Sequence, residues 1–463
     1  AAFRAADLGR EVTLVTDEDR LGGVCLLRGC IPSKALLHLA GVRHDARAAA
    51  DMGLAFGEPD VDLDRIREWK DSVVDRLTSG LDALCKAREV RVVRGRAAFT
   101  GARSVRVEGS EADDRLAFDT AVLATGSRPV PFPDAPFEGP VLDSARALEL
   151  RKVPDRLLVV GGGYVGLEMG TVYAALGSRV TLVEMENRLM PGADADLMEP
   201  LAERVEELFD EVRTGTKVTG LEVVDKGVRI GLEGGGDGDG SEDRATGTSR
   251  DFDAVLVALG RRPRTDDLGL GEAGIDLDDD GFVVVDEERR TTNEAVFAAG
   301  DVTGGMLLAH EGMHEGRVAA EVAAGRPAAF DARAVPAVVY TDPQVAWCGL
   351  TEARAREEGR EVEVGRFPWK ASGRALSMGR PDGFTKLVLD PDEGFVLGVG
   401  IVGPHAECLV AEGVLAVEMG ARVWDLASIV HPHPTLSETL GEAAERSLGV
   451  PLHVAPGGGR GFG

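Results

Sequence analysis

Residues 157 to 184 constrain the fold more than any other stretch of this chain, because they read in order as strand, glycine turn, helix, strand and acid. Leu157 to Val160 is a continuous apolar run. Gly161-Gly162-Gly163-Tyr164-Val165-Gly166 follows and opens a helical segment through Ala175, and Arg179 to Val183 is a second apolar run ending in Glu184. A parallel βαβ crossover uses this order. Gly161 permits the tight turn, Gly163 lets the backbone approach a pyrophosphate at the helix N-terminus, and Gly166 lets the helix pack on the strand. Glu184 falls about twenty residues on, where a carboxylate accepts from an adenosine 2'-hydroxyl and repels a 2'-phosphate. The unit is therefore predicted to bind NAD rather than NADP.

At 463 residues the chain has room for about three domains, and its 44% apolar content supports real cores. A net charge of -27 argues against nucleic acid or an anionic membrane as partner, since both would repel it. No run approaches the roughly 18 apolar residues of a membrane span, and no basic-then-apolar signal opens the sequence. We expect a soluble, cytoplasmic protein. Only eight of the 52 basic residues are lysines, against 79 acids. This acid-rich, lysine-poor balance fits adaptation to high intracellular salt, where screening removes self-repulsion. An ordinary acidic protein from a GC-rich genome would show the same arginine bias.

Cys25 and Cys30 stand between glycines, just ahead of an apolar helical run carrying Lys34. Four intervening residues are expected to let a helical turn bring the sulfurs within disulfide reach, so that the pair could cycle between dithiol and disulfide. The spacing alone also suits a structural disulfide, half of a metal site or two buried thiols. A zinc site usually adds a second close pair or two histidines, which are missing, and a cytosolic structural disulfide is rare. Cys85, Cys348 and Cys408 are scattered and read as reduced core or surface thiols.

The segment GGVCLLRGCIPSK around the pair closely resembles the redox-active segment of the class I flavoprotein disulfide reductases, in the form found in the dihydrolipoamide dehydrogenase family; Arg28 stands where that family more often has Val. Further motifs follow in the family's order: Thr125-Gly126-Ser127-Arg128-Pro129 after a strand at Thr120 to Ala124, the NAD unit, Ala298-Ala299-Gly300-Asp301 after another strand, Leu307-Leu308-Ala309-His310, and His431-Pro432-His433-Pro434-Thr435-Leu436-Ser437-Glu438. The resemblance implies an α/β architecture of two Rossmann-like dinucleotide-binding domains, for FAD and NAD, plus a C-terminal α+β dimerisation domain. The expected divisions are 1–145 for FAD, 146–265 for NAD, 266–334 returning to the central FAD domain, 335–455 for dimerisation, and a flexible tail at 456–463.

By position, the resemblance makes Cys25 the interchange thiol and Cys30 the thiol beside the flavin. Lys34 would lie near the flavin and pair with Glu168. Thr125, Gly126, Ser127, Asp301, Leu307, Leu308, Ala309 and His310 would contact the flavin nucleotide, and Gly161, Gly163, Gly166, Glu184 and Gly260 would serve the NAD side. His433, oriented by Glu438, would act as the base in a homodimer, reaching the partner subunit's disulfide. A carboxylate on the other ring nitrogen suits that role, because it fixes the tautomer and raises the basicity. No metal is implied. The implied partner is the lipoyl domain of a 2-oxoacid dehydrogenase complex or of a glycine cleavage system.

The first residues, through Gly9, read as the back half of a helix, followed by a strand at Glu11 to Val15. The strand and glycine turn that would open the flavin domain precede this sequence, and a longer reading frame is expected to supply them. Thr16 stands where the family places the acid for the flavin's adenosine ribose, with Asp17 beside it. Residues 61 to 88 show a helical stripe of Ile66, Trp69, Val73, Leu77, Leu81 and Leu84, expected to serve packing rather than chemistry. Val90 to Phe118 reads as an antiparallel excursion, and Gly231 to Arg250 as a disordered hairpin tip. Three other readings compete: a glutathione-type reductase would carry basic residues near Glu184, which is acidic; a mercuric reductase would end in a vicinal cysteine pair, which the tail lacks; and a truncated, flavin-free fragment without enzymatic activity, retaining only NAD or lipoyl-domain binding, is the remaining rival.

Overall fold

The structure is a computed structural model that describes residues 1–109, 114–234 and 248–455. Most of the expected hairpin tip, residues 235–247, and the expected tail, 456–463, lie outside the described residues. The flanking strands run further into the tip than expected, through Gly234 and again from Thr248.

The second dinucleotide unit forms where the sequence places it. Strands Arg156–Val160 and Arg179–Val183 flank helix Tyr164–Leu176, and the two strands pair in parallel. Val141–Leu142, Ala254–Val257 and Glu211–Arg213 complete a five-stranded parallel sheet with Arg156–Val160 at its centre. Buried on both faces, its central strands read as unbroken apolar runs rather than alternating ones.

Ahead of it, Thr13–Thr16 pairs in parallel with Arg91–Arg94, and Ala121–Leu123 pairs in parallel with Val296–Ala298. The expected antiparallel excursion is therefore shorter than its sequence boundaries. Its first strand joins the parallel pairing, and only Arg96–Gly101, Ser104–Glu108 and Asp114–Ala117 form the antiparallel sheet. Helix Leu63–Ala87 forms where the periodicity places it, with Ile66 and Leu81 packed against the cores. Its buried residues are Lys70, Val74, Thr78 and Cys85, whereas Trp69, Leu77 and Leu84 are 40 to 42% exposed. The apolar stripe thus has only a partial claim on the core of its own chain.

From Ala337 onward the chain builds a five-stranded antiparallel sheet in the order Ala337–Val339, Gln344–Gly349, Val396–Gly403, Phe384–Leu389, Glu363–Pro368. Two of these strands escape sequence reading. Gln344–Gly349 has four consecutive buried residues and no alternation, and Glu363–Pro368 is a short edge strand ending in proline. Both are weak periodicity signals. One apolar core joins this sheet to the dinucleotide unit: Leu157, Leu167, Leu182 and Leu197 pack in the same cluster as Val339, Val345, Trp347 and Val402, and Leu36 of the cysteine helix completes it. The cysteine helix, the dinucleotide unit and the C-terminal sheet are thereby held around one point. No helix is long and apolar enough to cross a membrane among the described residues.

Candidate active site

Cys25 and Cys30 are joined in a disulfide with their Cα atoms 4.7 Å apart. The geometry corrects the expectation of a single helical turn. Residues five apart on a continuous α-helix point roughly 140° away from one another. The chain solves this by breaking at Gly29: Cys25 lies on the short helix Gly23–Arg28, and Cys30 starts the helix Cys30–Ala48. A Cβ at position 29 would stand 2.9 Å from the Val24 carbonyl oxygen and 3.1 Å from Cys25 Cα. Gly29→Ala is therefore expected to force the two short segments apart. Thiol titration of the oxidised protein should then count two extra reactive sulfurs, and an unchanged count would refute this role.

One turn beyond Cys30, Lys34 Nζ lies 2.8 and 3.0 Å from the Glu168 carboxylate and 4.3 Å from the centre of the Tyr340 ring. Glu168 is buried and also accepts the Tyr340 amide at 3.1 Å. The cysteine helix, the dinucleotide helix and the C-terminal domain meet in this one ion pair. Removing Lys34 would leave a buried carboxylate without its cation, the costly way to break such a pair. Tyr340 was not singled out from the sequence; an aromatic residue next to Thr341 at a strand end gives no distinctive signal. Burial, reinforced by Glu407 and Glu168, holds its phenol above its ordinary pKa.

The strand ends at Leu123 and Ala298 deliver a second cluster. Ser127 is buried, and its hydroxyl donates to Asp301 Oδ2. Arg261 donates from Nε to Ser127 Oγ at 2.6 Å and from Nη2 to the Ser127 carbonyl at 2.9 Å, and lies 3.8 Å from Asp301. Arg261 is a residue the sequence reading passed over. It belongs to strand Arg261–Pro263, paired antiparallel with Ser127–Pro129. Gly260, just before that strand, thus borders the Ser127–Asp301 cluster. Thr125 Oγ1 donates to the Arg264 carbonyl at 2.8 Å.

Gly126 has φ +71° and open space where a Cβ would stand. Leu307 also adopts a positive φ, 57°, and Leu308 caps the helix Ala309–Ala323. The first amides of a helix have no acceptor within it, so this N-terminus can face an electron-rich group. His310 Nε2 lies 2.7 Å from the Pro336 carbonyl. These residues fit the ring and ribityl half of an FAD: an open glycine, a fixed carboxylate and a helix end. At the adenosine end, Thr16 Oγ1 accepts the Glu18 amide at 3.2 Å. Glu18 is in turn held by Arg28, one contact at 2.8 Å. The hydrogen bond from Arg28 outweighs burial and keeps the Glu18 carboxyl below its ordinary range.

On the dinucleotide side, a Cβ at Gly161 would stand 2.4 Å from the Ala258 carbonyl oxygen, and one at Gly166 would stand 2.0 Å from the Gly161 carbonyl oxygen. Gly163, by contrast, faces open space at the start of the helix, the cradle a pyrophosphate would fill. Glu184 accepts the Gly162 amide at 2.6 Å and the Glu186 amide at 2.8 Å, so its carboxylate is fixed beside the turn. Of the residues expected on the NAD side, Gly161, Gly163, Gly166 and Glu184 come together here, whereas Gly260 lies beside the Ser127–Asp301 cluster.

His433 Nδ1 lies 2.8 Å from Glu438 Oε1, and Glu438 Oε2 accepts the Thr435 amide at 2.7 Å. Burial pushes the Glu438 carboxyl up, but the amide of Thr435 and His433 together pull it down, with a net lowering. The His433 side chain is 73% exposed and projects from its own chain.

A fold with two dinucleotide-type units, a closed disulfide between them and a base held by a carboxylate defines a nucleotide-dependent disulfide oxidoreductase. Residues 1–316 match the family model for pyridine nucleotide-disulphide oxidoreductases and residues 335–444 match the dimerisation domain of the same family, so the chain belongs to that family. Its relatives include a "Dihydrolipoyl dehydrogenase" of Vibrio parahaemolyticus, 46% identical over 96% of this chain and 92% of the relative. Another, from Halobacterium salinarum, is also named "Dihydrolipoyl dehydrogenase" and is 46% identical over 98% of this chain and 94% of the relative. Among solved structures, LpdA from Mycobacterium tuberculosis has a TM-score of 0.86 at 26% identity, covering 96% of each chain. The HOCl-induced flavoprotein disulfide reductase RclA from Escherichia coli has a TM-score of 0.82 at 26% identity, with 96% of each chain covered.

Proposed function

We infer that this chain is a flavin-dependent dehydrogenase that oxidises protein-bound dihydrolipoyl groups to the cyclic disulfide and passes the electrons to NAD+. The observation that carries this reading is the Lys34–Glu168 pair, which ties the helix opened by Cys30 to the helix opened by the NAD turn. The disulfide and the predicted NAD turn thereby belong to two helices held against each other. FAD, when bound there, supplies the two-electron relay between them.

One thiolate of the substrate attacks Cys25 Sγ, forming a mixed disulfide and releasing Cys30 as thiolate. The second substrate thiol attacks the same substrate sulfur, closing the lipoyl ring and releasing Cys25. Two electrons leave the substrate for the protein disulfide, and two protons leave for His433 and solvent. Glu438 holds the His433 ring with Nε2 toward the substrate and stabilises the imidazolium that forms. Ser127, Asp301 and Arg261 orient the ribityl chain, and Glu184 selects NAD+ through the ribose hydroxyl. Because His433 projects from its own chain, it serves the disulfide of the partner in a homodimer. The protein works in the cytoplasm at high salt, with a lipoyl domain as its substrate.

A substrate panel tests this reading. Dihydrolipoamide with NAD+ should turn over, while glutathione disulfide with NADPH should not. Activity should rise as KCl is raised from about 0.1 M toward molar concentrations, as screening of the surface carboxylates increases. Preference for NADPH and glutathione disulfide would replace this reading with that of a glutathione-type reductase. For nucleotide choice, Glu184→Gln is expected to raise the KM for NAD+ about tenfold, the value of one charge-assisted hydrogen bond. It should also narrow the gap to NADP+; an unchanged ratio would show that Glu184 does not read the ribose.

A further inference from the structure

Three carboxylates, Asp194, Asp196 and Glu352, converge where the dinucleotide unit meets the C-terminal sheet. The cation they surround is already part of the protein. Lys386, on strand Phe384–Leu389, is 1% exposed, and its Nζ lies 2.6 Å from Asp194, 2.8 Å from Asp196 and 3.0 Å from Glu352. Asp194 also accepts the amides of Glu352 and Ala353 at 3.1 and 2.9 Å, so both of its oxygens are engaged. Arg366 closes the network on Asp196 and Glu352 at 2.8 and 2.7 Å. Burial works against charge here, but the hydrogen bonds between Lys386 and the carboxylates prevail. The ammonium is held above its ordinary pKa and the Asp194 carboxyl below, so both stay charged across the neutral range.

The other side of Asp194 leads directly to the glycine turn. Residues 185–193 run from Glu184 to Asp194 and fold back over Gly162. The Met190 amide donates to the Gly162 carbonyl at 3.1 Å, and Leu189 Cδ2 would lie only 2.7 Å from a Cβ on Gly162. Arg188 bonds the Ala193 and Pro191 carbonyls at 2.7 and 2.5 Å, keeping the segment compact. Beyond Asp194, helix Ala195–Leu208 presses on the C-terminal sheet so closely that a Cβ at Gly400 would meet Leu197 at 2.6 Å.

We propose that Lys386 is a positioning residue for NAD. Through Asp194 it anchors the 185–193 segment, and that segment fixes Glu184 and the Gly161–Gly166 turn against the nucleotide. The proposal rests on the reading of residues 157–184 as the NAD site. It makes a lysine of the C-terminal domain part of the determinants of nucleotide affinity, although it lies 192 positions from Asp194 in sequence.

The test uses the full-length flavin-loaded protein and two variants, Lys386→Met and Asp194→Asn. The second variant leaves Lys386 with Asp196 and Glu352, and decides the question if the first does not fold. NAD+ affinity is read by titration and as KM, and reduction of the Cys25–Cys30 disulfide by dihydrolipoamide is followed without NAD+. Affinity for NAD+ is expected to fall on the order of tenfold, the scale of coupling through a packed network, with the dihydrolipoamide reaction at the parent rate. Folded Asp194→Asn protein that binds NAD+ like the parent overturns the proposal, and so does an equal loss in both reactions, which would indicate general loosening. A parent protein that fails to bind NAD+ removes the underlying reading, and the proposal with it.

Discussion

Replacing Cys25 or Cys30 with serine is expected to reduce dihydrolipoamide oxidation to background while leaving the fold and NAD+ affinity intact. Neither variant can close the disulfide, so the first electron-accepting step has no acceptor. The two variants should differ in one respect. With Cys25 gone, the sulfur that forms the mixed disulfide is absent, so a thiol-reactive substrate analogue should label the remaining sulfur of the pair, Cys30, only slowly. With Cys30 gone, Cys25 remains a free thiol and should be labelled rapidly by the same analogue. The closed pair and its tight seat against Gly29 are what make the outcome absolute. Turnover by either serine variant above a few per cent of the parent would mean that electrons reach NAD+ by another route.

His433→Gln is expected to lower turnover by about 10² to 10⁴-fold, the usual contribution of a positioned general base. Glu438→Gln should cost less. It keeps a hydrogen-bond acceptor for Nδ1 but loses the negative charge that stabilises the imidazolium. The exposure of His433 adds a stronger test. Co-expressed His433→Gln and Cys25→Ser chains form mixed dimers in which one disulfide and one histidine come from complementary subunits. Half of the sites in each mixed dimer should recover, although each parent variant is inactive alone. Absence of recovery in verified mixed dimers would place the histidine and its disulfide in the same chain.

The dinucleotide unit was legible because it is local. Strand, glycines, helix and acid lie within one crossover, and each residue's role follows from backbone geometry. The cysteine segment was legible as chemistry but not as geometry: spacing suggested one helical turn, whereas closure depends on the break at Gly29. The helix Leu63–Ala87 shows the limit of periodicity, which finds an apolar stripe but cannot tell what it will face. Arg261, Tyr340 and Lys386 were invisible for a different reason. Each acts on a group more than a hundred positions away, Ser127, Glu168 and Asp194 respectively. Their signal lies in tertiary proximity, and neither residue type nor local spacing distinguishes them.

Cys25, Cys30 and a bound flavin are expected to act together on a dihydrolipoyl substrate. The most direct measurement is an anaerobic titration of the purified protein with dihydrolipoamide in concentrated KCl, following the visible spectrum. A long-wavelength thiolate-to-flavin charge-transfer band is expected to grow in proportion to substrate, to reach its maximum at one equivalent per subunit and to be absent from the Cys30→Ser variant before and after addition. A flavin spectrum that dihydrolipoamide leaves unchanged would contradict this joint action.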